Sequence, residues 1–187
     1  MKMLQTVSIL ALPLLALAAC SDGGADKDGD GKISKEEVAA EAESIKFSAG
    51  EWENKVEIVD VKFDESKLPP EAKGMTGAIV KQMVGQVQTT KNCLTEEQAK
   101  KPGADFLAGA ENDECTYKKF NLSGGKIDAD IQCKGKEAGQ EGNIKLAGTF
   151  TSSTYDMQMD MVMQSPQTGS MTIKAKNSAK RIGECKG

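Results

Sequence analysis

The chain contains no histidine. That absence removes the imidazole from Ser-His and Cys-His catalysis and from zinc and copper sites alike. Positive charge is not in excess either. The 24 Lys and Arg stand against 28 Asp and Glu, a net charge of −4, and such a surface does not attract nucleic acid. None of the five cysteines belongs to a C-x-x-C pair, which argues against a zinc knuckle. There is no Gly-rich phosphate loop and no nucleophile beside a base. Asp128 with Asp130, and Asp156 with Asp160, could form carboxylate pairs for acid–base work. They alternate with apolar residues and have lysines in reach, which is the pattern of a solvated strand face. The expectation is a protein that binds or scaffolds and is not an enzyme.

The longest apolar run lies at the N-terminus. Lys2 supplies a positive charge, residues 7–17 are apolar, and Leu17, Ala18, Ala19 and Cys20 follow. This is the pattern of a secretory leader, too short for a comfortable membrane span. The small residues before Cys20 resemble the lipobox of bacterial lipoproteins. That resemblance implies cleavage after residue 19, lipid on Cys20 and, with Ser21 following, an outer-membrane anchor facing the periplasm. An ordinary cleavable signal that ends near a cysteine is the alternative. The expected organisation is a signal peptide over 1–19, an anchor with a metal loop and helix over 20–47, and a β domain over 48–187.

Residues 26–37 read D-K-D-G-D-G-K-I-S-K-E-E. Asp26, Asp28 and Asp30 occupy positions one, three and five of a twelve-residue calcium loop, and Lys32 at seven offers its carbonyl. Ser34 stands at nine, Glu37 at twelve can bind with two oxygens, and Gly31 at six permits the sharp turn. Ile33, at position eight, is apolar and points into the domain. Ser34 and Glu37 also make a capping box for a helix over 35–46, with Val38, Ala42 and Ile45 on one face. Only residues 21–25 separate this loop from Cys20, too few for an entering helix. The reading is half an EF-hand with calcium as cofactor and a dissociation constant of roughly 10⁻⁴ to 10⁻³ M. A solvated, acidic, Gly-rich tether is the plainer reading of residues 21–31.

The rest of the chain predicts a mainly β (α+β) fold, an antiparallel sheet of about seven strands with one or two covering helices. A strand over 51–63 carries a change of face near Ile58 or Val59, which marks a bulge. A helix over 71–84 places Met75, Ile79 and Met83 four apart, as cover for the sheet. A strand over 86–93 precedes a short helix capped by Thr95 and Gln98 and ended by Pro102 and Gly103; residues 104–114 read as loop. Residues 115–122 and 126–133 form a hairpin of ambiguous register. A two-residue Gly124, Gly125 turn sets Leu122, Phe120 and Lys118 opposite Ile127, Ala129 and Ile131, whereas a three-residue turn sets Cys115 opposite Cys133. Beyond it, Ile144, Leu146, Gly148 and Phe150 match Met161, Met159, Met157 and Tyr155 across a turn at Ser152 and Ser153. Met163, Met161 and Met159 then match Met171, Ile173 and Ala175, which makes a C-terminal meander. On its reverse face Asp160 lies between Lys145 and Lys174.

Cys93, Cys115, Cys133 and Cys185 remain after Cys20 is assigned to lipid, and an oxidising compartment makes two disulfides of them. Cys93 with Cys115, or Cys115 with Cys133, are pairings that spacing leaves open. The methionine row 157, 159, 161, 163 suits the buried face of a sheet. It also suits a carrier of Cu(I), with Met163 and Met171 as the best pair, or a groove for an apolar ligand.

Gly50-Glu51-Trp52-Glu53, Cys93-Leu94-Thr95-Glu96, the Cys115 and Cys133 hairpin, the Met-rich meander and Arg181-Ile182-Gly183-Glu184-Cys185 together resemble a proteobacterial family of exported proteins known as a domain of unknown function. The resemblance covers residues 50–187. It implies export and disulfides and carries no activity; the calcium loop resembles an EF-hand appended ahead of it. A protein or small-molecule partner is not named by any of these residues.

Overall fold

A computed structural model describes residues 24–100, 115–135 and 137–186. Cys20, the leader, the Pro102 and Gly103 helix stop and the loop 104–114 lie outside them. Seven strands form one antiparallel sheet: β1 (Gly50–Phe63), β2 (Val87–Leu94), β3 (Cys115–Ser123), β4 (Lys126–Lys134), β5 (Glu141–Phe150), β6 (Thr154–Ser165) and β7 (Gly169–Gly183). Their order is β2-β1-β7-β6-β5-β4-β3, so the chain pairs β7 back onto β1 and leaves β2 and β3 at the edges. Helix α1 (Lys35–Ala42) precedes the sheet, α2 (Pro70–Met83) links β1 to β2, and α3 (Glu96–Lys100) follows β2.

The meander has the expected register throughout. Phe150 pairs with Tyr155, Gly148 with Met157, Leu146 with Met159 and Ile144 with Met161; Met163 then pairs with Met171, Met161 with Ile173 and Met159 with Ala175. On the reverse face Asp160 pairs with Lys145 and Lys174, and the Lys174 ammonium lies 3.7 Å from its carboxylate. The β1 bulge falls where the apolar pattern changes face: Ile58 pairs with Ala175 and Asp60 with Lys174, leaving Val59 between them. The extra residue returns Val61 and Phe63 to the face that carries Trp52.

The β3–β4 hairpin contains both competing registers. At the turn Leu122 pairs with Ile127 and Phe120 with Ala129, as a two-residue loop requires. A bulge between Tyr117 and Lys119 then shifts the pairing by one, which sets Tyr117, not Lys118, opposite Ile131 and Cys115 opposite Cys133. Tyr117, Phe120 and Leu122 are all buried as a result. Cys115 and Cys133 are disulfide-bonded. Cys93 bonds to Cys185, not Cys115. The reason lies in β1: Glu51 pairs with Cys93 on one side and with Gly183 on the other, so the ends of β2 and β7 meet around one residue.

Helix α2 forms, but not as the predicted cover. Met75 is 69% and Ile79 54% exposed, and no residue of the helix is buried. Ala72, Thr76, Val80 and Met83 are its less exposed row. Two of the three residues of the predicted stripe, Met75 and Ile79, therefore face water, and the core side of the sheet is covered from elsewhere. Val38, Ala42, Ile45 and Phe47 pack with Trp52, Phe120, Ile127, Ile131 and Leu146 in the main hydrophobic cluster. Residues 24–49 thus lie over the sheet at the end where the β3–β4 and β5–β6 turns stand. Phe47 makes an edge contact with Trp52 at 5.4 Å between ring centroids, the Ser48 N–H donates to the Ser152 carbonyl, and the Trp52 indole donates to the Ser48 carbonyl.

Candidate functional site

The loop 26–37 is built by its own carboxylates. Asp26 accepts from the Gly29 and Gly31 N–H groups at 2.8 and 3.1 Å, Asp28 from Asp30 at 3.1 Å, and Asp30 from Lys32 at 2.8 Å. Short acidic side chains that bond the backbone two to five residues on are what coils such a segment. Gly29 and Gly31 adopt φ of 74° and 78°, a region that glycine enters at no steric cost. This winding draws one oxygen from each of Asp26, Asp28 and Asp30 to within 4.8 Å of one another.

Glu37 is not part of that cluster. Its Oε1 accepts from the Lys27 N–H at 2.9 Å, which ties the end of the loop back to its start. Oε2 accepts from the Ser34 N–H and hydroxyl at 2.9 Å, while the Ser34 hydroxyl accepts from the Glu37 N–H. The capping box is therefore complete and opens α1. The Ser34 N–H above all, then those of Lys27 and the Ser34 hydroxyl, hold the Glu37 carboxyl below its ordinary value. Asp28, Asp30, Lys32, Ser34 and Glu37 line one depression of about 380 Å³, closed on its far side by Thr116, Tyr117 and Lys118 of β3. Asp26 faces a second depression with Lys27 and Glu41, whose side chains are 3.3 Å apart.

Two backbone contacts fix the loop to the sheet edge. The Ala25 N–H donates to the Phe120 carbonyl at 2.9 Å, and Ile33 makes an antiparallel bridge with Tyr117. Ala25 is fully buried. Ile33 is the apolar position-eight residue that the loop pattern points into the domain, whereas Ala25, Tyr117 and Phe120 are not apparent from that pattern. The signal for Tyr117 and Phe120 is the unsettled register of the β3–β4 hairpin, because the bulge at Lys118 leaves both side chains buried. The same bulge places the Lys118 chain at the rim of the acidic depression.

The methionine row divides. Met157 is 4% exposed within the core, whereas Met163 is 40% exposed at the other end of the strand. There, beyond the reach of residues 24–49, an open concavity of about 440 Å³ has Phe63, Ile144, Met161, Met163 and Met171 in its lining. The acidic pairs stand apart from both sites. Asp128 meets Lys119 at 2.5 Å, and Asp130 accepts from the Asn143 amide at 2.6 Å.

No curated protein and no solved structure matches the chain. A family model described as "Protein of unknown function (DUF3617)" does match, over residues 47–185, the sheet without the loop and α1. The chain belongs to that family.

Proposed function

We propose that this is a calcium-binding, lipid-anchored protein of the cell envelope, whose β domain binds or scaffolds and does not catalyse. The observation that carries the reading is the convergence of Asp26, Asp28 and Asp30 within 4.8 Å, in a loop whose twelfth residue, Glu37, is folded back onto Lys27. Three carboxylates held that close repel one another, and a cation among them relieves that repulsion. The donor set is all oxygen, which suits a hard divalent ion. Lys32 would add its carbonyl and Ser34 its hydroxyl or a bridged water. Glu37 would exchange its backbone partners for the ion.

Lipid on Cys20 would place the anchor five residues before Ala25, a reach of at most about 17 Å. The β3 edge and the loop would then stand close to the membrane, and an ion that stiffens the loop would fix how the sheet sits on it. Isothermal titration of the full chain with calcium should give a single site with a dissociation constant of roughly 10⁻⁴ to 10⁻³ M. Asp26→Ala combined with Glu37→Ala should abolish the heat; equal heat in that variant sinks the reading. Labelling with an alkyne fatty acid in cells should be lost in Cys20→Ser, and persistent absence of label in the unaltered chain removes the anchor.

A further inference from the structure

The open concavity at the end of the sheet away from the loop is made from one face of five neighbouring strands. Phe63 of β1, Met171 of β7, Met161 and Met163 of β6, Ile144 of β5 and Cys133 of β4 supply its apolar lining. Its volume, about 440 Å³, falls in the range of small-molecule sites, roughly 300–1,000 Å³. The charged residues of its lining, Lys134 and Glu141, are cross-strand partners of each other, so the site carries no net charge of its own.

The two glycines of β5 distinguish packing from vacancy. Gly148 and Gly142 lie six apart on one strand and share a face. A methyl group on Gly148 would run into the Asp156 carbonyl and Met157, so glycine there is required by a close backbone approach. A methyl group on Gly142 would meet nothing within 4 Å, and Gly142 borders the concavity opposite Met163 and Cys133. Glycine within a strand weakens it unless a bulge, a bend or a closely approaching group gives it a purpose. At Gly142 the register is regular on both sides and no protein group approaches among the described residues. The missing side chain keeps the floor open.

We infer that this concavity binds the hydrocarbon chain of a fatty-acid-like amphiphile. The floor is apolar and the two charges of the lining stand opposite each other, which favours a hydrocarbon chain over an ionic ligand. The methionines around it are unbranched and repack around a flexible chain. Gln140 and Thr168 in the lining leave a polar edge for the head group. The inference is independent of calcium, since none of the loop residues reaches this site.

The test uses the full, disulfide-bonded chain with a diazirine-bearing decanoic acid, photolysed and mapped by peptide mass spectrometry. Labelling should concentrate on peptides holding Met161, Met163 and Met171 and fall at least fivefold under excess unlabelled decanoate. Gly142→Leu should lower it by a similar factor while the thermal midpoint stays at or above that of the parent, because the leucine fills open space. Met163→Leu with Met171→Leu should keep labelling within about twofold, since the surface stays apolar. Label spread evenly over the chain, label indifferent to decanoate, or label unchanged in Gly142→Leu overturns the inference. So does retention of Cu(I) by the parent together with loss of both copper and label in the double methionine variant, which would make this a thioether metal site.

Discussion

Ile33 and Tyr117 face each other in a single antiparallel bridge, and that bridge couples the acidic loop to the edge of the sheet. Eight residues earlier Ala25 donates to Phe120, so the loop is held just before its start and again at position eight by one strand, on either side of the bulge at Lys118. On the half EF-hand reading the loop has no second loop against which to set its geometry. Here β3 takes that place, and the loop in turn covers part of an otherwise unpaired edge.

The first prediction follows from this coupling. An ion that orders the loop is linked to the folding of the whole sheet. On the calcium reading, 10 mM calcium should stabilise the chain by about 1.4–2.7 kcal/mol for dissociation constants of roughly 10⁻³ to 10⁻⁴ M. Thermal melts in calcium and in chelator should differ by several degrees, and Asp28→Ala should remove the difference.

Glu37 supplies a pH dependence of definite sign. Its carboxyl is held below the ordinary value by the Ser34 and Lys27 groups that donate to it. A carboxyl with a depressed folded value contributes stability that is present above its unfolded value, near 4.5, and is lost as pH falls through the lower folded value. Carbon-13 NMR titration in chelator should therefore place the Glu37 midpoint below the ordinary glutamate value near 4.5. Glu37→Gln should flatten the corresponding part of the stability profile on the acid side.

Helix α1 ends at Ala42, short of the predicted 46, and burial separates Ile45, just beyond it, from the exposed row of α2. Ile45 is 1% exposed and packed in the core, so Ile45→Ala should cost about 2–5 kcal/mol in chemical denaturation. Ile79 is 54% exposed, and Ile79→Ala should change stability by about 0.5 kcal/mol or less. Equal effects would mean that Ile45 is not held in the core.

The sequence makes the meander legible because every constraint in it is local. Turns at Ser152 and Ser153 and around residues 166–168 fix register, and side-chain matching across short loops checks it on both faces. The β1 bulge is legible for a similar reason, since Val59 changes face within a continuous apolar strand. The loop residues and the capping box are visible through fixed offsets. What was not legible depends on distant segments. The Cys93 and Cys185 pairing needs the closure of β7 onto β1, which no local pattern states. Helix α2 exposes Met75 and Ile79 of its predicted stripe, while the core cluster takes its cover from Val38, Ala42, Ile45 and Phe47. The β3–β4 hairpin offered two registers because a bulge inside the strand uses one at each end.

The two disulfides hold different parts of the sheet, and their removal should separate accordingly. Cys115 and Cys133 close 18 residues of a hairpin whose Tyr117, Phe120, Ile127 and Ile131 are buried, so the hairpin keeps its packing when the bond is absent. Cys93 and Cys185 close 92 residues, and they tie β2, every residue of which is exposed except the half-buried Leu94, to the end of β7. In the chain-entropy view the longer loop is worth about 4–5 kcal/mol and the shorter about 3 kcal/mol. Cys93→Ser with Cys185→Ser should lower global stability by the larger amount and also raise hydrogen exchange selectively at residues 87–94, an edge strand with β1 as its one neighbour among the described residues. Cys115→Ser with Cys133→Ser should lower stability less and leave exchange in β2 unchanged. Were β2 protection equal in both variants, the pairing of β2 with β1 alone would suffice to hold that edge, and the closure between Cys93 and Cys185 would act only through the unfolded chain.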